Sequence, residues 1–346
     1  MQTHRTEAGV DTSGEASSSE AGAEGLATDR KLRRYEDVRQ LIGNPDDPTP
    51  LVRLRRPAGS AELFLKLEWF NPFGSIKDRT ARYLLEGLER RGELEGRDLV
   101  EPSSGNTGIA LAALAALMGK RITVTIPDGV PEEKKVLLRL LGAEVWETPD
   151  DLCPIDHPKD GAIALAHSMV ASGDGPSRLV MPNQYENDDN VEAHYRTTGP
   201  EIWAQTEGKV RTFLAGYGTC GTITGVGRFL KEQDPSIQVI AVEPQKGHHL
   251  PGLKNLSESR KPGILDPSIV DRVVRVDDGP AYAATRRVIR EQGLIVGPST
   301  GAIVAAAEVL GDELEGVAVA ISPDSGFKYI SYFAELLGEE EGVPHV

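Results

Sequence analysis

The sequence predicts an α/β protein of parallel-rich sheets flanked by helices. Three observations predict it. Short aliphatic and β-branched runs alternate with runs of helical period from residue 62 onward, the pattern of βαβ units. An almost wholly apolar run at 107–118 reads as a helix buried on most sides, as the interior of a layered fold requires. Glycine-containing turns fall where a strand gives way to a helix, at 102–108 and at 216–222. A length of 346 residues suits one large α/β unit or two lobes.

In chain order, a short helix is predicted at 31–42 and a Gly/Asn/Pro/Asp loop at 43–48. Strands follow at 51–54 and 62–68, separated by Pro57-Ala58-Gly59-Ser60. A helix at 77–91 carries Ala81, Leu84, Leu85 and Leu88 at helical spacing. Next come a strand at 98–101, the buried helix, a strand at 121–126, a helix at 131–141 stopped by Gly142, and a strand at 143–147. After a loop at 149–159, a helix is expected at 161–172, a strand at 178–181 and a helix at 190–206 interrupted at Pro200. A strand at 212–215, a helix at 222–231 and a strand at 238–243 make one βαβ unit. The irregular stretch 244–272 is long for a compact domain, which points to function or mobility. Helices at 281–292 and 301–310, a strand at 317–322 and a helix at 328–337 complete the chain, with no internal repeat.

The net charge of -15 argues against a nucleic-acid or anionic-membrane binder, although a local basic pocket is compatible with it. The two cysteines, Cys153 and Cys220, form no C-x-x-C pair and no metal-like spacing, so neither a disulfide nor a zinc framework is expected. A reducing cytoplasm fits. No apolar run is long enough to span a bilayer. Residues 1–30, rich in Ser, Gly, Ala, Glu and Thr, lack an apolar signal-peptide core and read as a disordered tail.

Three segments carry chemistry. In Asn71-Pro72-Phe73-Gly74-Ser75-Ile76-Lys77-Asp78-Arg79 a lysine opens a helix directly after a strand and a Pro/Gly loop. The positive end of the helix dipole disfavours an ammonium there and favours the neutral amine that forms imines. Taken alone, Lys77 reads as a solvated helix-start lysine. Glu101-Pro102-Ser103-Ser104-Gly105-Asn106-Thr107-Gly108 aims backbone N–H groups and hydroxyls over a helix N-terminus, a ready carboxylate site and more than a capping turn needs. Gly216-Tyr217-Gly218-Thr219-Cys220-Gly221-Thr222 stacks amides at another helix start, which suits a phosphate. It also matches G-x-G-x-x-G, with Glu243 after the next strand, so pattern alone equally supports a dinucleotide site. Three further segments stand at loops: Pro182-Asn183-Gln184-Tyr185, Val296-Gly297-Pro298-Ser299-Thr300-Gly301 and Ser322-Pro323-Asp324-Ser325-Gly326-Phe327-Lys328-Tyr329.

Together these segments resemble the cysteine synthase / cystathionine β-synthase family of pyridoxal-phosphate enzymes, across residues 40–340 and in the family's order. The resemblance implies the two-lobed fold of tryptophan synthase β type with the cofactor in the cleft between lobes. It assigns 80–188 to a smaller, mobile substrate-binding lobe, and 31–79 with 189–346 to a larger cofactor-binding lobe. It implies that Lys77 forms the imine with the cofactor and that Asn106 lies beside the phenolic oxygen. It places Gly218, Thr219, Cys220, Gly221 and Thr222 at the phosphate, and Ser299 at the pyridine nitrogen. Ser103, Ser104, Gly105, Asn106 and Thr107, with Gln184, would cradle the substrate carboxylate. A neutral serine at the ring nitrogen makes a moderate electron sink, suited to β-elimination.

The activity implied is β-replacement on O-phospho-L-serine or O-acetyl-L-serine by a sulfide-type nucleophile, through an aminoacrylate, giving L-cysteine. The sulfur source is free sulfide or a sulfur-carrier protein. Leu67 to Phe73, the Asn183-Gln184-Tyr185 segment and Asp324 to Tyr329 look most like O-phosphoserine sulfhydrylases. In such enzymes a basic residue of the loop after Glu243-Pro244 recognises the phosphate; the candidate is Lys254, with Lys246, His248, His249, Arg260 and Lys261 nearby. A solvated loop is the competing reading of that basic cluster. Three departures stand out: Ser103 where the family commonly has threonine, Cys220 where it usually has glycine, and Pro45-Asp46-Asp47-Pro48 before Thr49-Pro50-Leu51. A cytoplasmic homodimer is expected, without nucleic acid or membrane. A homocysteine-using relative, a non-catalytic binding protein of this fold and an NAD-dependent dehydrogenase remain as alternatives.

Overall fold

The computed structural model describes residues 34–55, 61–103, 105–149, 161–172 and 178–334. The tail at 1–30, Ser104, Cys153 and most of the 149–159 loop lie outside the described residues.

Among the described residues, ten strands form two sheets. One contains β1 (Leu51–Arg53), β2 (Glu62–Leu67), β7 (Val210–Gly216), β8 (Gln238–Pro244), β9 (Arg272–Val276) and β10 (Val317–Ser322), in the order β1-β2-β10-β7-β8-β9. The other contains β3 (Arg97–Pro102), β4 (Ile122–Pro127), β5 (Glu144–Thr148) and β6 (Arg178–Val180), in the order β5-β4-β3-β6. All pairings are parallel except β1 with β2. That exception follows from the short connection between them, since a parallel return needs a longer crossover.

Among the described residues, the α-helices that pack on these sheets include α1 (Lys77–Arg90), α2 (Asn106–Leu117), α3 (Glu132–Leu140), α4 (Gly161–Ser172), α5 (Asp189–Ala193), α6 (Gly199–Gln205), α7 (Gly221–Gln233), α8 (Asp278–Gln292) and α9 (Pro298–Leu310). In α2, residues Thr107 to Ala115 are all buried, so an apolar face would not suffice and the helix is apolar all round. Its packing against α1 and the four-stranded sheet makes one hydrophobic core. The six-stranded sheet has a core on each face, one including α8 and α9 residues and one including α6 and α7 residues.

The parallel register gathers the site. Ser322 pairs with Leu67, and Ala320 with Leu214, so β2, β10 and β7 end along one edge of the large sheet. Glu101 pairs with Val124, and β3 and β4 likewise release their loops together. Crevices outside the carboxyl ends of parallel strands are where such sheets bind ligands. The four-stranded sheet lies wholly between residues 97 and 180.

Four expectations needed correction. The helix at 31–42 reduces, among described residues, to one 3-10 turn at Val38–Leu41, capped by Asp37, whose Oδ1 accepts the Arg39 N–H at 2.7 Å. The helix at 190–206 is α5, a π turn at His194–Thr198 and α6, with Pro200 in the first turn of α6, where its missing N–H costs nothing. The stretch 244–272 ends in an unforeseen edge strand, β9; it buries only Val274 and Val276, and its Arg-Val-Val-Arg-Val sequence shows no clean alternation. The last helix opens as a 3-10 turn, Gly326–Tyr329.

Candidate active site

Lys77 is the first residue of α1. Ahead of it, Gly74 takes φ 77, a left-handed turn that glycine adopts without strain. The Asp78 carboxylate ties the turn to the helix by accepting the Phe73 N–H at 2.6 Å and the Ser75 hydroxyl at 3.2 Å. Burial lowers the Lys77 ammonium to about 8. The helix start supplies the position, and desolvation supplies the main shift. About a tenth of such an amine is neutral at pH 7, against far less than a hundredth for a free lysine.

The first turn of α2 presents the N–H groups of Asn106 and Thr107, which have no intrahelical partner. Ser103 Oγ accepts the Gly108 N–H at 2.9 Å, so this serine caps the helix as well as lining the cavity described below. Thr107 Oγ1 donates to Gln184 Oε1 at 2.6 Å. Gln184 is set by the buried Glu101 carboxylate, which accepts the N–H groups of Asn183 and Gln184 at 2.8 and 3.1 Å. Burial raises Glu101 to about 7 despite those bonds.

The loop before α7 turns on Cys220, at φ 68, a left-handed conformation that a non-glycine residue adopts at a cost of about 1–3 kcal/mol. Burial pushes its thiol up to about 12, so it is no nucleophile at neutral pH. Asn190, which the sequence reading passed over, holds this loop. Its Nδ2 donates to Gln184 O at 2.7 Å and to Thr219 Oγ1 at 3.1 Å, and its Oδ1 accepts from Thr80 at 3.0 Å. Beside it, His194 Nε2 lies 3.2 Å from Thr222 Oγ1 and 3.3 Å from Thr80 Oγ1. Burial drives His194 down to about 3 and keeps it neutral. Both residues stand on α5 and the π turn, which sequence periodicity presented as ordinary helix.

These groups surround a cavity of about 560 Å³. Lys77, Ser103, Gly105, Asn106, Thr107, Gln184, Gly218, Thr219 and Lys254 all line it. Cys220, Gly221 and Thr222 continue the loop into α7 behind that lining, and Ser299 is buried in the first turn of α9. Lys134 and Tyr329 also line the cavity and were not foreseen as site residues. Asp324 and Lys328 reach the site through Asn106. Their one sequence signal was a fourth strand-to-loop segment, after β10.

The dinucleotide alternative fails on Glu243. Its carboxylate is occupied by Arg275 at 3.0 Å and the Leu256 N–H at 3.0 Å, leaving no free acid for a ribose.

A buried, easily deprotonated lysine and a glycine loop at a helix start line one cavity, an arrangement suited to a phosphorylated aldehyde cofactor. The cradle suits a phosphate by setting Gly218 and Thr219 on the cavity wall at the N-terminus of α7. Its glycines are closely packed: a Cβ at Gly218 would sit 3.0 Å from Gly252 O, and one at Gly221 only 2.2 Å from Asn190 Oδ1. Comparison with known proteins gives the same class. The family model described as pyridoxal-phosphate dependent enzyme matches residues 43–324. Cysteine synthase B of Pseudomonas aeruginosa is 41% identical over 302 residues, covering 86% of this chain and 97% of that protein. Cysteine synthase B of Salmonella typhimurium is 39% identical over 307 residues, covering 88% and 96%. Among solved structures, O-ureido-L-serine synthase has a TM-score of 0.77 at 32% identity, covering 86% of this chain and 94% of that one. A hydrogen sulfide-producing enzyme from Fusobacterium nucleatum has the same TM-score and identity, covering 86% and 100%. The chain belongs to the pyridoxal-phosphate dependent enzyme family, and pyridoxal 5'-phosphate is its cofactor.

Gly221→Ala tests the cradle. The added methyl displaces Asn190 or the loop, at about 1–3 kcal/mol. We expect the variant to hold pyridoxal phosphate roughly five- to hundredfold more weakly by equilibrium dialysis. Unchanged affinity would remove this loop from the cofactor site.

Proposed function

We propose that this enzyme is a cysteine synthase that replaces the β-substituent of an activated L-serine, O-phospho-L-serine foremost, with sulfide. One observation carries the choice of donor. In a chain of net charge -15, the cavity is lined by Lys77, Lys134 and Lys254, and no Asp or Glu is among its described lining residues. Such a lining attracts an anionic substrate in addition to the cofactor's phosphate. The relatives named cysteine synthase B support the reaction class.

Lys77 would hold the cofactor, Gly218 to Thr222 its phosphate, Asn106 its phenolic oxygen and Ser299 its ring nitrogen. When bound, pyridoxal phosphate withdraws electrons from the substrate α-carbon, so that the α-proton and then the β-substituent can leave. The N–H groups of Asn106 and Thr107, with Gln184, orient the substrate carboxylate at the positive end of α2. Lys77 Nζ, with its lowered affinity for protons, takes the α-proton. The smaller lobe's mobility, a homodimer, a cytoplasmic setting and a sulfur-carrier donor belong to the same proposal. No helix among the described residues is long and apolar enough to cross a membrane.

Lys254 would meet the leaving phosphate. Its Nζ lies 4.4 Å from the centroid of the Tyr185 ring, and its N–H donates to Tyr217 O at 2.8 Å, which aims the side chain into the cavity. No carboxylate pairs with it among the described residues, whereas Arg260 pairs with Glu186 at 3.2 Å. A phosphate brings about two negative charges, and a charge-assisted contact is worth about 1.5–3 kcal/mol. The rates of cysteine formation from O-phospho-L-serine and O-acetyl-L-serine with sulfide test the reading. We expect the phosphorylated donor to be preferred, and Lys254→Ala to cost it roughly ten- to hundredfold while sparing the acetylated one. Equal loss on both donors would make Lys254 structural, and preference for the acetylated donor in the unaltered enzyme would sink the donor assignment.

A further inference from the structure

Asp324 is fully buried, yet one of its oxygens has no partner. Oδ2 accepts the Tyr329 hydroxyl and Asn106 Nδ2, each at 2.6 Å, while Oδ1 has no hydrogen-bond partner among the described residues. A buried acceptor left unpaired is costly, so the arrangement asks for a reason. The fold also makes room for it: a Cβ at Gly297 would lie 2.2 Å from Oδ1.

The placement of Asp324 supplies the reason. Its backbone bridges Ser75, two residues before Lys77, and the adjoining Pro323 carbonyl accepts the Ile76 N–H at 2.8 Å. Its own carbonyl accepts the Gly297 N–H at 3.2 Å, two residues before Ser299. Its side chain grips Asn106. One residue thus touches three of the four segments assigned to the cofactor, all but the phosphate loop.

The grip is also polar in sense. Lys328 Nζ donates to Asn106 Oδ1 at 2.7 Å and to Phe73 O at 2.9 Å. A carboxylate only accepts and an ammonium only donates, so the two partners allow one orientation of the Asn106 amide. Asn106 opens α2, beside the four-stranded sheet, whereas Asp324 and Lys328 follow β10 of the six-stranded sheet. The clamp therefore crosses from one sheet's layer to the other at the cavity.

We infer that Asp324, with Lys328, is a positioning residue that locks the amide of Asn106 toward the cofactor. The inference rests on the proposed place of Asn106 beside the cofactor's phenolic oxygen. A fixed donor at that oxygen favours the form of the bound cofactor that absorbs in the visible, so the spectrum reads the clamp without turnover.

The experiment compares Asn106→Ala, Asp324→Ala, Asp324→Asn and the double alanine variant, each as holoenzyme, by the ratio of visible to near-ultraviolet cofactor absorbance. Asp324→Ala is expected to lower the ratio by the same factor as Asn106→Ala, and the double variant by no more than either, because residues acting through one contact are not additive. Asp324→Asn, which keeps an oxygen to accept from Asn106, is expected to restore part of the ratio. Additive losses, or an unchanged ratio in Asp324→Ala while Asn106→Ala shifts it, would overturn the inference and leave the placing of Asn106 intact. An unchanged ratio in Asn106→Ala would remove Asn106 from the cofactor, and the clamp's role with it.

Discussion

Lys77→Ala is expected to abolish the visible absorption of bound cofactor and to reduce turnover by at least the roughly 10²–10⁴-fold that a positioned base contributes. In the proposed assignment two functions would vanish with one amine: the covalent hold on the aldehyde and the acceptor for the α-proton. Other lysines line the cavity, so the outcome is informative. Lys134 is also lowered by burial, but its Nζ rests 5.1 Å from the Tyr329 ring centroid, on α3, away from the α1 turn. Lys254 stands over Tyr185. Neither opens a helix behind a Pro/Gly turn as Lys77 does. The check is an absorbance spectrum of the variant reconstituted with pyridoxal phosphate, together with its cysteine-forming rate. A spectrum and rate like those of the unaltered enzyme would transfer the role to another lysine.

The second large effect lies two residues further along α1. Arg79 is wholly buried and donates to Glu68 Oε2 at 2.7 Å and to Glu201 Oε2 at 2.8 Å. Lys66 Nζ, equally buried, donates to Glu201 Oε2 at 2.6 Å and to Thr49 O at 2.7 Å. Two cations thus face two anions, and β2, α1 and α6 are joined at the base of the Lys77 turn. Arg79→Leu leaves two buried carboxylates against one ammonium. Removing one partner of a buried pair costs about 3–5 kcal/mol, and we expect that loss in denaturant unfolding of the variant. A loss below about 1 kcal/mol would place this network with surface pairs.

The same network fixes an acid limit. Burial alone would raise Glu68, but the Arg79 guanidinium outweighs it and holds the carboxyl well below its ordinary value of 4.5. A depressed carboxylate stabilises the fold fully above that ordinary value and loses its contribution as pH falls through the folded one. Glu101 has the opposite sign. Raised to about 7, it favours the fold below 4.5 and loses that contribution as pH rises through 7.

Much of this was legible in the sequence because it is local. The buried α2, the Pro/Gly turn before Lys77, the glycine loop before α7 and the strand at 317–322 each depend on a few neighbouring residues. What depended on distant partners was not legible. Lys254 reads equally as a solvated loop residue until Tyr185 is found beneath it and the cavity before it. Asn190 and His194 are unremarkable polar residues on a helix until Gly221 packs on one and Thr222 meets the other.

By itself, then, the sequence determined the α/β alternation, since short-range periodicity and turn chemistry encode it, and its motifs carried the resemblance that pointed to the family and to Lys77. Only the tertiary structure decided how the proton affinity of Lys77 is lowered, which is mainly by burial, and which side chains hold Asn106. Desolvation and hydrogen-bond orientation depend on what surrounds a group in space. Asp324 lies 218 positions from Asn106 along the chain, yet their side chains meet at 2.6 Å.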